Sequence, residues 1–218
     1  MQKRFELLVF DWDGTLMDSA GAIIASIQAS CSDLGLPVPA RERAAHVIGL
    51  GLKDALSYAV PELPPSDYGK LSERYRHHYL ARDPDIELFP GMREMLLALK
   101  AEGHVLAVAT GKSRVGLNRV LEATQLKQYF DASRCADETH SKPHPAMLQE
   151  LMQELCIAPE ATLMIGDTGH DLQMALSAGV VALAVSYGAH PRESLTAFNP
   201  IACIDTPQDL APWLKEHA

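Results

Sequence analysis

Leu7-Leu8-Val9-Phe10-Asp11-Trp12-Asp13-Gly14-Thr15 is the stretch from which the rest of the chain is read. Its four apolar residues make a short buried strand, and Gly14 breaks the run. Side chains alternate along a strand, so Asp11 and Asp13 project to the same side where it ends. Two carboxylates held that close repel each other unless a cation sits between them, and hard oxygen ligands favour Mg²⁺. The stretch predicts a metal site with a carboxylate nucleophile in it. Taken alone, adjacent acids at a strand end also serve as helix caps or turn formers. Agreement with sites elsewhere decides between these uses.

Three such sites exist. Val108-Ala109-Thr110-Gly111-Lys112-Ser113 ends another apolar strand with a hydroxyl and a glycine that offer an O–H and backbone N–H groups to an anion. Ser141-Lys142-Pro143-His144-Pro145 presents Lys142 from a proline-stiffened arm, where its ammonium can offset paired aspartates and a phosphate. Leu163-Met164-Ile165-Gly166-Asp167-Thr168-Gly169-His170-Asp171 again ends an apolar strand in Gly-Asp, with a second acid four residues on. Asp171 falls about one turn into the next helix, close enough to support a cation on Asp167. His170 is left out of the ligand set because Mg²⁺ avoids imidazole.

The strand at residues 6–10 is joined by apolar runs at 105–109, 161–165 and 180–185 and a weaker one at 132–135. Helical patterns at 92–101, 113–123, 146–155 and 172–178 lie between them. This alternation predicts an α/β fold with a Rossmann-like parallel sheet between helical layers, and a site beyond the carboxyl ends of the strands. From 19 to 82 the periodicity is helical only (22–34, 41–47, 52–59, 67–80), punctuated by Pro37, Pro39, Pro61, Pro64 and Pro65. The expected organisation is a core of residues 1–17 and 86–218 with a helical cap, 18–85, inserted after the first strand. Asp18-Ser19 would be its hinge. Ile48-Gly49-Leu50-Gly51-Leu52-Lys53 in the cap is a glycine-flanked loop whose Lys53 can meet a substrate carboxylate. His77-His78, with Arg74 and Arg76, reads as a solvated helix face.

Net charge of −9 argues against a nucleic-acid surface, and leaves an anionic substrate dependent on local cations. Four scattered cysteines without a CxxC pair, and an N-terminal apolar run too short for a signal peptide or membrane span, predict a cytoplasmic protein. No membrane partner is expected, and the chain is read as a monomer or homodimer.

The four sites, in this order, resemble the motifs of the haloacid dehalogenase-like hydrolase superfamily, and the helical insert resembles its small cap. Ala175, Ala178 and Gly179 extend the likeness. The resemblance implies a Mg²⁺-dependent phosphatase acting on a small phosphorylated metabolite, most similar to phosphoglycolate phosphatases. It implies Asp11 as nucleophile, Asp13 as acid and base, and Lys142 as the third catalytic residue. Gly14, Thr110, Gly111 and Lys53 would meet substrate. The metal would be held by Asp11, Asp167 and the backbone carbonyl of Asp13, with Asp171 helping through water. The superfamily's dehalogenases and phosphonate-cleaving members lack an acid at the position of Asp13. A sugar phosphomutase, or a pyrophosphatase or nucleotidase on the same core, is the alternative enzyme. A phosphate- or partner-binding protein on an inactive core is the alternative outside enzymes.

Overall fold

A computed structural model describes residues 4–218. Six strands form one parallel sheet: β1 (Leu7–Phe10), β2 (Val105–Thr110), β3 (Ala132–Cys135), β4 (Thr162–Gly166), β5 (Val181–Val185) and β6 (Cys203–Ile204). Their spatial order is β3-β2-β1-β4-β5-β6. β1 sits between β2 and β4, with Phe10 opposite Val108 on one side and Ile165 on the other. The chain switches direction across the sheet there, so Asp11, Thr110 and Asp167 emerge at neighbouring strand ends.

Alternation on β1 divides the core. Leu8 and Phe10 face Met92, Leu96, Leu117, Leu121, Leu210 and Leu214. These belong to α5 (Met92–Ala101), α6 (Arg114–Ala123) and α10 (Pro207–His217). Leu7 and Val9 face Met147, Leu151 and Met174, from α7 (Ala146–Leu155) and α8 (Gly169–Ala178). All four β1 residues are fully buried, each contributing about 1.5–3 kcal/mol of hydrophobic stabilisation. The α/β architecture is the expected one. β6 escapes sequence reading because it is two residues long. α8 begins three residues before its apolar stripe because Thr168 and Asp171 form a capping box.

The inserted helices are α1 (Ala20–Asp33), α2 (Arg41–His46), α3 (Leu52–Ala59) and α4 (Tyr68–Arg82). They bury a cluster of their own, including Ile24, Ile27, Val47, Leu56, Leu71 and Tyr79. The two crossings between this layer and the sheet run side by side. The Asp18 N–H donates to the Glu87 carbonyl (2.9 Å), and Phe89 N–H to the Leu16 carbonyl (3.0 Å). The remaining helix, α9 (Arg192–Thr196), covers the β5–β6 edge.

Candidate active site

Three carboxylates and one ammonium meet beneath the inserted helices. Asp11 follows β1, Asp167 follows β4, and Asp171 lies in the first turn of α8; all three are fully buried. One oxygen of each lies within 4.8 Å of the others. Lys142 is 1% exposed, with its Nζ 2.8 Å from Asp11 Oδ1 and 2.6 Å from Asp171 Oδ1. Asp11 Oδ2 is buried with no hydrogen-bond partner among the described residues.

The remaining acid oxygens are taken by the protein. Asp167 Oδ1 accepts from the Thr15 hydroxyl (2.9 Å), and its Oδ2 accepts from the Ala189 N–H (2.7 Å). Asp171 Oδ2 accepts from the Thr168 hydroxyl (2.7 Å) and N–H (3.1 Å). Asp171 thus caps its own helix with one oxygen and holds Lys142 with the other.

Burial pushes the Asp11 carboxyl well above the usual carboxylate range; Lys142 opposes this, while Asp171 and Asp167 reinforce it. Burial, with Asp171 beside it, raises Asp167 to about 7. Burial also works against the charge on Lys142, but Asp11 and Asp171 outweigh it and hold the ammonium above its ordinary value. With all three acids ionised, one lysine would leave two negative charges uncompensated, and burial together with that excess pushes the Asp11 and Asp167 carboxyls up. A divalent cation matches that deficit in charge, and Asp11 Oδ2 supplies a waiting hard donor.

Space for this packing comes from missing side chains. Gly14 has φ +84°, and a Cβ there would lie 2.1 Å from Asp167 Oδ2. A Cβ at Gly188 would lie 2.3 Å from the same oxygen. Gly14 was expected to meet substrate, yet its N–H donates to the Met17 carbonyl (2.8 Å). What it gives the site is room for Asp167.

The Asp13 carboxylate turns away from this cluster. Its Oδ1 accepts from Ser19 Oγ (2.6 Å) and lies 2.9 Å from Lys112 Nζ. Thr110 is buried beside it, its hydroxyl accepting from the Lys112 N–H (3.2 Å). Gly111 lies directly beneath the inserted layer, where a Cβ would meet the carbonyls of Leu50 (2.5 Å) and Gly49 (2.6 Å). Gly51 N–H donates to Ser141 Oγ (2.8 Å). The Gly49–Gly51 loop therefore rests on all three core loops it faces: the one after Thr110, the one before Lys142 and, through Gly49 and Thr168, the one after Asp167. His170 and His190 both donate to the His46 carbonyl (2.7 and 3.2 Å), pinning α2 to the core away from the acids.

Asp13, Gly111, Lys112, Gly49, Gly51, Lys53 and Tyr79 line one cavity of about 850 Å³. Lys53 is exposed on its wall, and its ammonium has no partner among the described residues. Lys112, Gly188 and Tyr79 were not singled out from the sequence. Lys112 carried a usable signal, since it stands two residues beyond Thr110 as Asp13 stands two beyond Asp11. Gly188 and Tyr79 carried none.

The haloacid dehalogenase-like hydrolase family model matches residues 8–185. This chain belongs to that family. The haloacid dehalogenase-like chain is 37% identical to "Probable phosphatase IndB" of Dickeya dadantii over 92% of its own length and 89% of the relative's. It is 30% identical to the pyrophosphatase PpaX of Bacillus mycoides, covering 97% of this chain and 98% of the relative. Among solved structures, a predicted phosphoglycolate phosphatase from Haemophilus somnus superposes with a TM-score of 0.86 at 27% identity over the whole of both chains. No helix among the described residues is long and apolar enough to cross a membrane.

Proposed function

We propose that this phosphatase is Mg²⁺-dependent and hydrolyses a small phosphate monoester through an aspartyl-phosphate on Asp11. The observation that carries the reading is the Asp11 carboxylate, buried with one oxygen unpartnered in a cluster of three acids and one lysine. Asp11, Asp167 and the Asp13 backbone carbonyl would hold the cation, with Asp171 in support. When bound, Mg²⁺ supplies charge neutralisation for the carboxylates and the phosphoryl group.

Asp11 attacks phosphorus; the Asp11 O–P bond forms as the bond to the ester oxygen breaks. Asp13 gives its proton to the departing oxygen. Water then attacks the same phosphorus, Asp13 takes a proton from it, and the Asp11 carboxylate is released. Lys142 spans Asp11 and Asp171 and fixes the direction of the nucleophile. The Thr110 hydroxyl and Gly111 N–H receive the remaining phosphoryl oxygens, and Lys53 reaches an anionic group on the leaving half. The helices of residues 18–85 act as a cap that shields these steps from solvent.

Phosphoglycolate is the ester the resemblance favours. Pyrophosphate is the second reading, supported by the relative named for it. A panel of phosphate esters and pyrophosphate, assayed with Mg²⁺ and with chelator, decides the substrate by kcat/KM. Steady phosphate release without a bisphosphate activator argues against a phosphomutase. Asp11→Asn is expected to remove roughly 10⁴-fold or more of turnover while keeping the fold. Turnover surviving that substitution, or full activity in chelator, contradicts the proposal.

A further inference from the structure

Lys112 is a buried cation that the mechanism above does not use. Its side chain is 8% exposed, and its Nζ lies 2.9 Å from Asp13 Oδ1. The same nitrogen donates to the Tyr79 hydroxyl at 2.9 Å and sits 4.9 Å from the centre of the Tyr79 ring. Tyr79 belongs to α4 in the inserted layer, whereas Lys112 and Asp13 belong to the sheet's loops. Ser19 Oγ, at the crossing between the two, donates to that same Asp13 oxygen at 2.6 Å. Oδ1 is thus gripped from two directions, and Asp13 Oδ2 has no partner among the described residues. Asp13 lines the cavity where an ester's leaving half must lie.

We propose that Lys112, completed by Tyr79, is the positioning residue for Asp13: it fixes one carboxylate oxygen so that the other faces the departing ester oxygen. The proposal rests on the reading of Asp13 as acid and base. A flexible aspartate at a cavity wall samples several rotamers, and proton transfer needs hydrogen-bond reach to the leaving oxygen. A charge-assisted bond to a buried ammonium removes that freedom. Lys112 in turn has no competing anion, since its other partner is the neutral Tyr79 hydroxyl. The Lys112–Asp13 contact joins two loops of the sheet, and Tyr79 of the inserted layer holds the far side of the same ammonium.

A direct phosphate contact by Lys112 would predict something different. Losing a phosphate contact weakens every ester alike, whereas losing the orientation of the acid hurts only esters whose leaving group needs a proton. The test compares kcat/KM for the best alkyl phosphate of the panel with that for p-nitrophenyl phosphate, whose phenolate departs unprotonated. Asp13→Asn serves as the reference for the acid's own leaving-group pattern.

Lys112→Met is expected to lose about 100-fold on the alkyl ester and less than about fivefold on the aryl ester. Tyr79→Phe is expected to follow the same pattern with a loss of about tenfold on the alkyl ester. Melting temperatures establish that the variants fold, and Tyr79→Phe carries the test if Lys112→Met does not. Equal losses on both esters, or none on either, overturn the proposal while Asp13→Asn still discriminates between them. If Asp13→Asn itself fails to discriminate, the acid–base reading falls, and the positioning role with it.

Discussion

The buried acid cluster, as floor, and the wall of the neighbouring cavity, as roof, are built by opposite rules. On the floor, Asp11, Asp167, Asp171 and Lys142 have essentially no exposure, and nearly every polar atom is assigned to a neighbour. On the roof, the charged ends of Lys53 and Arg76 are exposed without a partner among the described residues, over a cavity of about 850 Å³. The floor holds charge in a low dielectric, where displacement is costly and each group fixes the next. The roof holds charge in water, where each group contributes little and is replaceable. In the proposed function, the nucleophile belongs to the floor and choice of substrate to the roof.

Breaking the floor without touching a charge is the sharpest check of that contrast. Gly14→Ala puts a Cβ 2.1 Å from Asp167 Oδ2 and forces an L residue to φ +84°. Backbone strain alone costs about 1–2 kcal/mol. Asp167 must also move by something near an ångström, so kcat/KM is expected to fall about 100-fold, read by steady-state kinetics on the preferred ester. Near-normal activity would show that the floor tolerates slack.

A second check uses pH. Asp167 binds its proton up to about 7 when folded, against about 3.9 when unfolded, so the metal-free folded chain holds more protons across that window. The sign follows: Asp167 costs metal-free stability increasingly as pH rises from about 4 to about 7. In chelator, Asp167→Asn is therefore expected to melt above the wild type at pH 7.5, with the difference shrinking towards pH 4.5. Mg²⁺ should raise the wild-type melting temperature more at pH 7.5 than at pH 5.5, and leave the variant nearly unmoved. A variant less stable than wild type at pH 7.5 in chelator would mean the acids are not crowded.

The roof should yield the smallest effect. Lys53→Ala removes an exposed ammonium, worth about 0.2–1 kcal/mol, so KM is expected to rise by up to about fivefold with kcat unchanged. A fall in kcat instead would move Lys53 from selection into chemistry.

Much of the floor was readable in one dimension because the peptide geometry projects it there. Strand ends placed Asp11, Thr110 and Asp167, and helical pitch placed Asp171 one turn on, but period-two alternation misplaced Asp13: the strand stops at Phe10, and the Asp13 carboxylate turns from the cluster to Ser19 and Lys112. The bounds of α5, α7 and α3 follow directly from their apolar spacing. Lys112 was harder, since its neighbours Asp13 and Tyr79 lie 99 and 33 residues away in the chain. Gly188 was harder still, because a glycine's meaning is the atom that would otherwise collide with a Cβ.

The sequence by itself determined the parallel sheet, the helical insertion and which acids end its strands, since these depend on local periodicity and on where apolar runs stop. Only the tertiary structure decided that Asp171 serves Lys142, that Gly14 and Gly188 make room for Asp167, and that Lys112 grips Asp13 from beneath Tyr79. Those are facts of close approach between distant segments, and packing, unlike alternation, leaves no period in the chain.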